Sequence, residues 1–161
     1  MYIIPILIII LDQFTKYLAV INLEGKEPIV LINNFLQFNY VRNYGAAFGI
    51  MNSQRTFFLI ITVIIVFGII FYIKRYNNTK MMNYTLVMII GGAIGNFIDR
   101  LRIEYVIDFI DVNFGDFYDF PVFNIADSFI VIGTFTLVIL VLTDNYEEKG
   151  KEWFYVWYYR T

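Results

Sequence analysis

The chain has 161 residues, of which 59% are hydrophobic and 20% aromatic, with a formal net charge of −2 at pH 7. Soluble domains are about 45–50% apolar, so the excess implies an apolar solvent, and without a basic patch nucleic-acid binding has no support. Cysteine and histidine are both absent, which excludes disulfides, thiol nucleophiles, imidazole bases and the usual zinc sites.

A bilayer span needs about 20 mostly apolar residues. Four stretches qualify, at about 2–23, 56–73, 81–98 and 121–143, and predict an α-helical polytopic membrane protein built as a single membrane domain. Helices are required because backbone groups in hydrocarbon must be bonded within their own segment. The first stretch lacks a basic leader and carries Asp12 and Lys16, so it reads as a retained span rather than a cleaved signal peptide. Asp12 and Lys16 are four apart and share a helix face, as a neutralising pair that fixes packing or as part of a site.

The loop at 24–55 is long for so small a protein. Leu36, Phe38 and Tyr40 alternate with Gln37 and Asn39 after a turn at Asn33-Asn34, the pattern of a strand. A small sheet on the outer membrane surface is expected there. The loop from Lys74 to Lys80 holds three basic residues and no acid, and reads as cytoplasmic. With the tail at 144–161 it gives six basic residues on that side, against Lys26, Arg42, Arg55, Arg100 and Arg102 on the other. Both termini are therefore expected in the cytoplasm. The tail ends in Trp153, Phe154, Tyr155, Trp157, Tyr158 and Tyr159, the composition of an interfacial anchor.

Charge at membrane depth is costly, at least about 2.5–3.5 kcal/mol at mid-span, yet polar residues cluster here. The third span ends Gly91-Gly92-Ala93-Ile94-Gly95-Asn96-Phe97-Ile98-Asp99-Arg100. Gly91 and Gly95 permit close helix approach, and Asn96, Asp99 and Arg100 share one face. Asp108 follows between apolar neighbours, whereas Asp111, Asp116 and Asp119 are expected to be solvated. Pro121 suits the first turn of the fourth helix, and Asn124 and Asp127 project the same way. Asp108 and Asp127 thus lie at one depth. Two close carboxylates in a dry place share a proton; the ionised one can activate water while the protonated one hydrogen-bonds a scissile carbonyl. An ion or proton pathway would use the same residues, and a buried structural network is also open.

Asp12-Gln13-Phe14-Thr15-Lys16, Arg42-Asn43-Tyr44-Gly45-Ala46-Ala47-Phe48-Gly49, the Gly91–Arg100 run, Val106-Ile107-Asp108-Phe109-Ile110 and Phe123-Asn124-Ile125-Ala126-Asp127-Ser128 together resemble, in order and spacing, the motifs of bacterial lipoprotein signal peptidases (signal peptidase II). The resemblance implies four transmembrane helices with a small extracytoplasmic β-cradle between the first two. It implies catalytic aspartates at Asp108 and Asp127. Asn43, Asn96, Arg100 and Asn124 match residues lining the substrate groove, and Asp12, Lys16 and Asp99 match supporting positions. The implied substrates are diacylglyceryl-modified prolipoproteins, cut on the amino side of the lipidated cysteine, in the bacterial cell membrane near the outer leaflet. No cofactor or metal is expected; the partners are membrane lipid and substrate, and a monomer is expected. One departure stands out: the family usually has glycine at the position of Glu104 or Tyr105. The alternative from another class is a small ion- or proton-coupled transporter using the intramembrane Asp/Lys cluster.

Overall fold

The computed structural model describes residues 3–45, 54–76, 78–115, 118 and 120–147. Its elements are α1 (Ile3–Leu23), β1 (Ile29–Ile32), β2 (Leu36–Asn43), α2 (Arg55–Arg75), α3 (Lys80–Arg102), β3 (Val106–Val112) and α4 (Ile125–Leu142). Each helix is long and apolar enough to cross a membrane. Their outward faces carry large apolar side chains: Phe67 and Phe135 are each 67% exposed and Leu142 80%. Surfaces of that kind are stable only against lipid, and the chain is a multi-pass membrane protein. The aromatic end of the tail lies outside the described residues.

α3 is the axis of the bundle. Half of its spanning window is buried, whereas α2 has no buried residue. Two glycines on α3 let its neighbours come close. A Cβ on Gly92 would strike the Ala126 carbonyl oxygen and lie 2.8 Å from Ile130 Cγ1, both on α4. A Cβ on Gly95 would sit 2.6 Å from Asp12 Oδ2 on α1 and 3.2 Å from Ala126 Cβ. Close backbone approach brings polar groups on three helices within hydrogen-bond reach of one another.

The sheet is antiparallel, in the order β1-β2-β3. Asn34, with φ +56°, makes the turn between β1 and β2 in the left-handed region that asparagine tolerates. The third strand comes from the segment between α3 and α4, and alternation did not reveal it. Val106, Ile107, Asp108 and Phe109 are all buried, so the run lacks the period of two that marks a half-exposed strand. Ile107 and Phe109 cluster with Ala19 and Leu23 of α1, which docks the sheet on the end of that helix. β2 and β3 pair with Val41 opposite Asp108 and Asn43 opposite Val106.

Two expected boundaries are corrected. α4 begins at Ile125 rather than at Pro121, because Phe123 is still bridged to Ile110 by backbone hydrogen bonds of 2.8 and 3.0 Å. Asn124 is extended and caps the helix. α3 runs to Arg102 rather than stopping at 98, so Asp99 and Arg100 are helical.

Gly95→Ala should force α1 away from α3 and α4 at Asp12. A loss of about 1–3 kcal/mol, the range for overpacking, is expected in the thermal unfolding of the detergent-solubilised protein, and an unchanged midpoint would contradict the close approach.

Candidate active site

The site is assembled by asparagine side chains. Asn124 and Asp127 form a reciprocal cap at the start of α4: Asn124 Oδ1 accepts from the Asp127 backbone N–H at 2.9 Å, and Asp127 Oδ2 accepts from the Asn124 N–H at 3.2 Å. The cap places Asp127 in the first helical turn, where the helix favours negative charge. Asn124 Nδ2 reaches across to β3 and donates to Asp108 Oδ1 at 2.6 Å. One fully buried asparagine therefore links the two carboxylates directly.

The remaining oxygens are also held by amides. Asn43, at the end of β2, donates to Asp108 Oδ2 at 2.8 Å. Asn96 on α3 donates to Asp127 Oδ1 at 2.7 Å. Four elements thus converge on two acids. Asp108 is 1% exposed, while Asp127 is partly buried. Burial first, and then the charge of Asp127, push the Asp108 carboxyl up to about 7 against the opposing amides of Asn43 and Asn124 and the charge of Lys16.

Behind the pair, Lys16 uses all three of its donors. Its Nζ lies 2.9 Å from Asp12 Oδ2, 2.8 Å from Asp99 Oδ2 and 2.8 Å from Asn96 Oδ1. Asp12 Oδ1 accepts the Ala126 N–H at 2.9 Å, one residue before Asp127. Asp99 Oδ2 accepts the Ile107 N–H at 3.2 Å, one residue before Asp108. The two buried acids around Lys16 therefore each hold the backbone next to a carboxylate of the pair.

Asp12, Lys16, Asn43, Asn96, Asp99, Asp108, Asn124 and Asp127 form one hydrogen-bonded assembly. Arg100 stands at its edge: Nη2 donates to the Gly45 carbonyl at 2.9 Å and the guanidinium lies 4.6 Å from the Phe58 ring centre. Gln13 was not singled out from the sequence. It donates to Asp99 Oδ1 at 2.8 Å and, at 3.2 Å each, to Asp12 Oδ2 and the Gly95 carbonyl. The signal was present, since Gln13 is polar within an apolar span like its neighbour Asp12. Asp111 corrects an expectation. It is buried in β3 rather than solvated, because Gln37 on the paired strand donates to its Oδ2 at 2.7 Å. Asp116 and Asp119 lie outside the described residues.

A family model described as Signal peptidase (SPase) II matches residues 4–143. A protein of Clostridium tetani named lipoprotein signal peptidase is 43% identical over 149 residues, covering 91% of this chain and 96% of that protein. A protein of the same name from Caldanaerobacter subterraneus is 46% identical over 136 residues, covering 84% and 90%. Two solved structures described as a bacterial membrane enzyme superpose with TM-scores of 0.81 and 0.80 at 39% identity. They cover 94% and 89% of this chain, and each is itself covered to 92%.

The environment of Asp108 predicts an infrared carboxyl band that titrates with a midpoint near pH 7 and is missing from Asp108→Asn. Asp127→Asn removes a neighbouring negative charge, so it should lower the Asp108 midpoint; a midpoint that rises or stays would contradict the coupling.

Proposed function

The chain belongs to the signal peptidase II family and is an aspartic peptidase of that type, and on that premise we propose that Asp108 and Asp127 are the two carboxyls that perform the hydrolysis. The observation that carries this reading is the single Asn124 side chain that holds Asp108 while its own backbone N–H holds Asp127. A bridge of that kind keeps two acids near one another without neutralising either.

The pair shares one proton. The protonated carboxyl donates a hydrogen bond to the scissile carbonyl oxygen, and the ionised one accepts a proton from a water molecule as its oxygen attacks the carbonyl carbon. The tetrahedral adduct then collapses, the carbon–nitrogen bond breaks, and the amide nitrogen leaves with a proton from the pair. Asn96 and Asn124 are too buried to meet a substrate broadly and act by aiming the acids. Asn43 and Arg100 are partly buried, and we read them as the residues a peptide would meet. Asp12, Lys16 and Asp99 support the site through the backbone N–H groups of Ala126 and Ile107.

The substrates are prolipoproteins, and we read the lipidated class, with a diacylglyceryl cysteine, as the one cut, on the amino side of that cysteine. Acyl chains that remain in the bilayer would bring the scissile bond to a shallow site. The basic loop between α2 and α3 supports a topology with both termini in the cytoplasm, and in that topology the pair lies near the outer leaflet. We read the protein as a monomer. The transporter alternative has no support among the relatives.

Asp108→Asn and Asp127→Asn should each lower cleavage of a diacylglyceryl-modified precursor by about 10²–10⁴-fold while helical circular dichroism stays unchanged. Full activity in either variant would end the assignment. The unlipidated precursor should run uncleaved in the same gel-shift assay. Activity should fall as pH rises through about 7, because the shared proton is then lost and both acids are ionised; a rate that climbs across that range would contradict the shared proton.

A further inference from the structure

Arg55, the first residue of α2, places its guanidinium on the far end of α3. Its Nε donates to the Arg100 carbonyl at 2.8 Å and its Nη2 to the Leu101 carbonyl at 3.0 Å. Both carbonyls lie in the last helical turn, where no helical N–H reaches them. Its Nη1 donates to Glu104 Oε1 at 2.6 Å. Glu104 has φ +75°, in the left-handed region that side chains with a Cβ rarely adopt. This glutamate is the middle residue of the short turn from α3 into β3, and Asp108 lies four residues further on.

The same guanidinium begins a second line of contacts. Arg55 fixes the Arg100 backbone, Arg100 Nη2 holds the Gly45 carbonyl at 2.9 Å, and the Gly45 N–H donates to Asn43 Oδ1 at 2.9 Å. Asn43 Nδ2 then donates to Asp108 Oδ2 at 2.8 Å. One side chain therefore reaches Asp108 from both directions: through the turn that leads into its strand, and through the asparagine that holds its oxygen.

We propose that Arg55 is a positioning residue for Asp108, clamping the left-handed Glu104 turn and the Asn43 contact together; this rests on the reading of Asp108 as catalytic. Arg55 touches neither carboxylate, and its action is geometric. The clamp is needed because Glu104 occupies a conformation that glycine would adopt without strain. Replacing Glu104 by glycine should therefore remove most of the dependence on Arg55. A purely structural cap on α3 would be needed equally in either background.

The test is steady-state cleavage of a diacylglyceryl-modified precursor by the full-length enzyme in detergent, with Asp108→Asn as control. Arg55→Gln should lower kcat roughly tenfold with KM within about twofold, the signature of misplaced catalytic geometry rather than lost binding. Glu104→Gly should keep kcat near that of the unaltered enzyme. The double variant Arg55→Gln/Glu104→Gly should recover to within about threefold of it. Should Arg55→Gln fail to fold, Arg55→Lys keeps the charge but loses the planar fork, and should show a smaller kcat loss with the same rescue. Unaltered kcat in the folded Arg55 variants, or an equal loss in both backgrounds, would overturn the inference while leaving the dyad intact. An active Asp108→Asn would instead remove the dyad on which it rests.

Discussion

An ammonium group shut away from water must have every one of its protons accepted, and Lys16 meets that demand with one oxygen from α1 and two from α3. Uncompensated, such a charge would be expelled or neutralised. Lys16 is 1% exposed and Asp12 0%, so the helices can approach only in the arrangement that completes this set. A buried ion cluster contributes little net stability. What it supplies is a unique register between α1 and α3, and the acids that surround Lys16 have spare oxygens to pass that register on.

Those spare oxygens carry it to the two paired carboxyls. Asp12 holds the Ala126 N–H and so sets the first turn of α4; Asp99 holds the Ile107 N–H and so sets β3. Asp108 and Asp127 come from elements that are far apart in character, a buried strand and a helix N-terminus, yet each is fixed by a neighbour one residue before it. Asn96 joins the two levels, accepting from Lys16 and donating to Asp127. The glycines of α3 are the condition for all of this, since a Cβ at Gly95 would press to 2.6 Å from Asp12 Oδ2.

Much of this was legible in the residues. Spans announce themselves by length and hydropathy, and Asp12, Lys16, Asn96, Asp99 and Asp127 are conspicuous because hydrocarbon penalises them. The β2 strand was visible in Leu36, Phe38 and Tyr40, whose pleat has two unlike faces. β3 was hidden because Val106 to Phe109 are buried on both faces. Asp111 reads as solvated for a related reason: its partner Gln37 lies 74 positions away in the chain, and a distant partner leaves no local trace. The start of α4 was displaced because proline marks where a helix is allowed to begin, whereas the Phe123–Ile110 bridge decides where it does. Glu104 posed the converse problem. The absence of glycine is visible in the sequence, but the left-handed backbone that asks for one and the arginine that answers it belong to the folded chain.

The second helix invites a different thought. It has 21 residues and buries none of them fully; Ile69, Tyr72 and Ile73 only edge the Met82, Leu86 and Leu140 cluster, and most of its surface is left to lipid. Its length is what remains: at about 1.5 Å per residue it measures about 30 Å, the thickness of the hydrocarbon layer. One end is fastened to α3 by Arg55, so a membrane of another thickness would tilt the helix against that fastening.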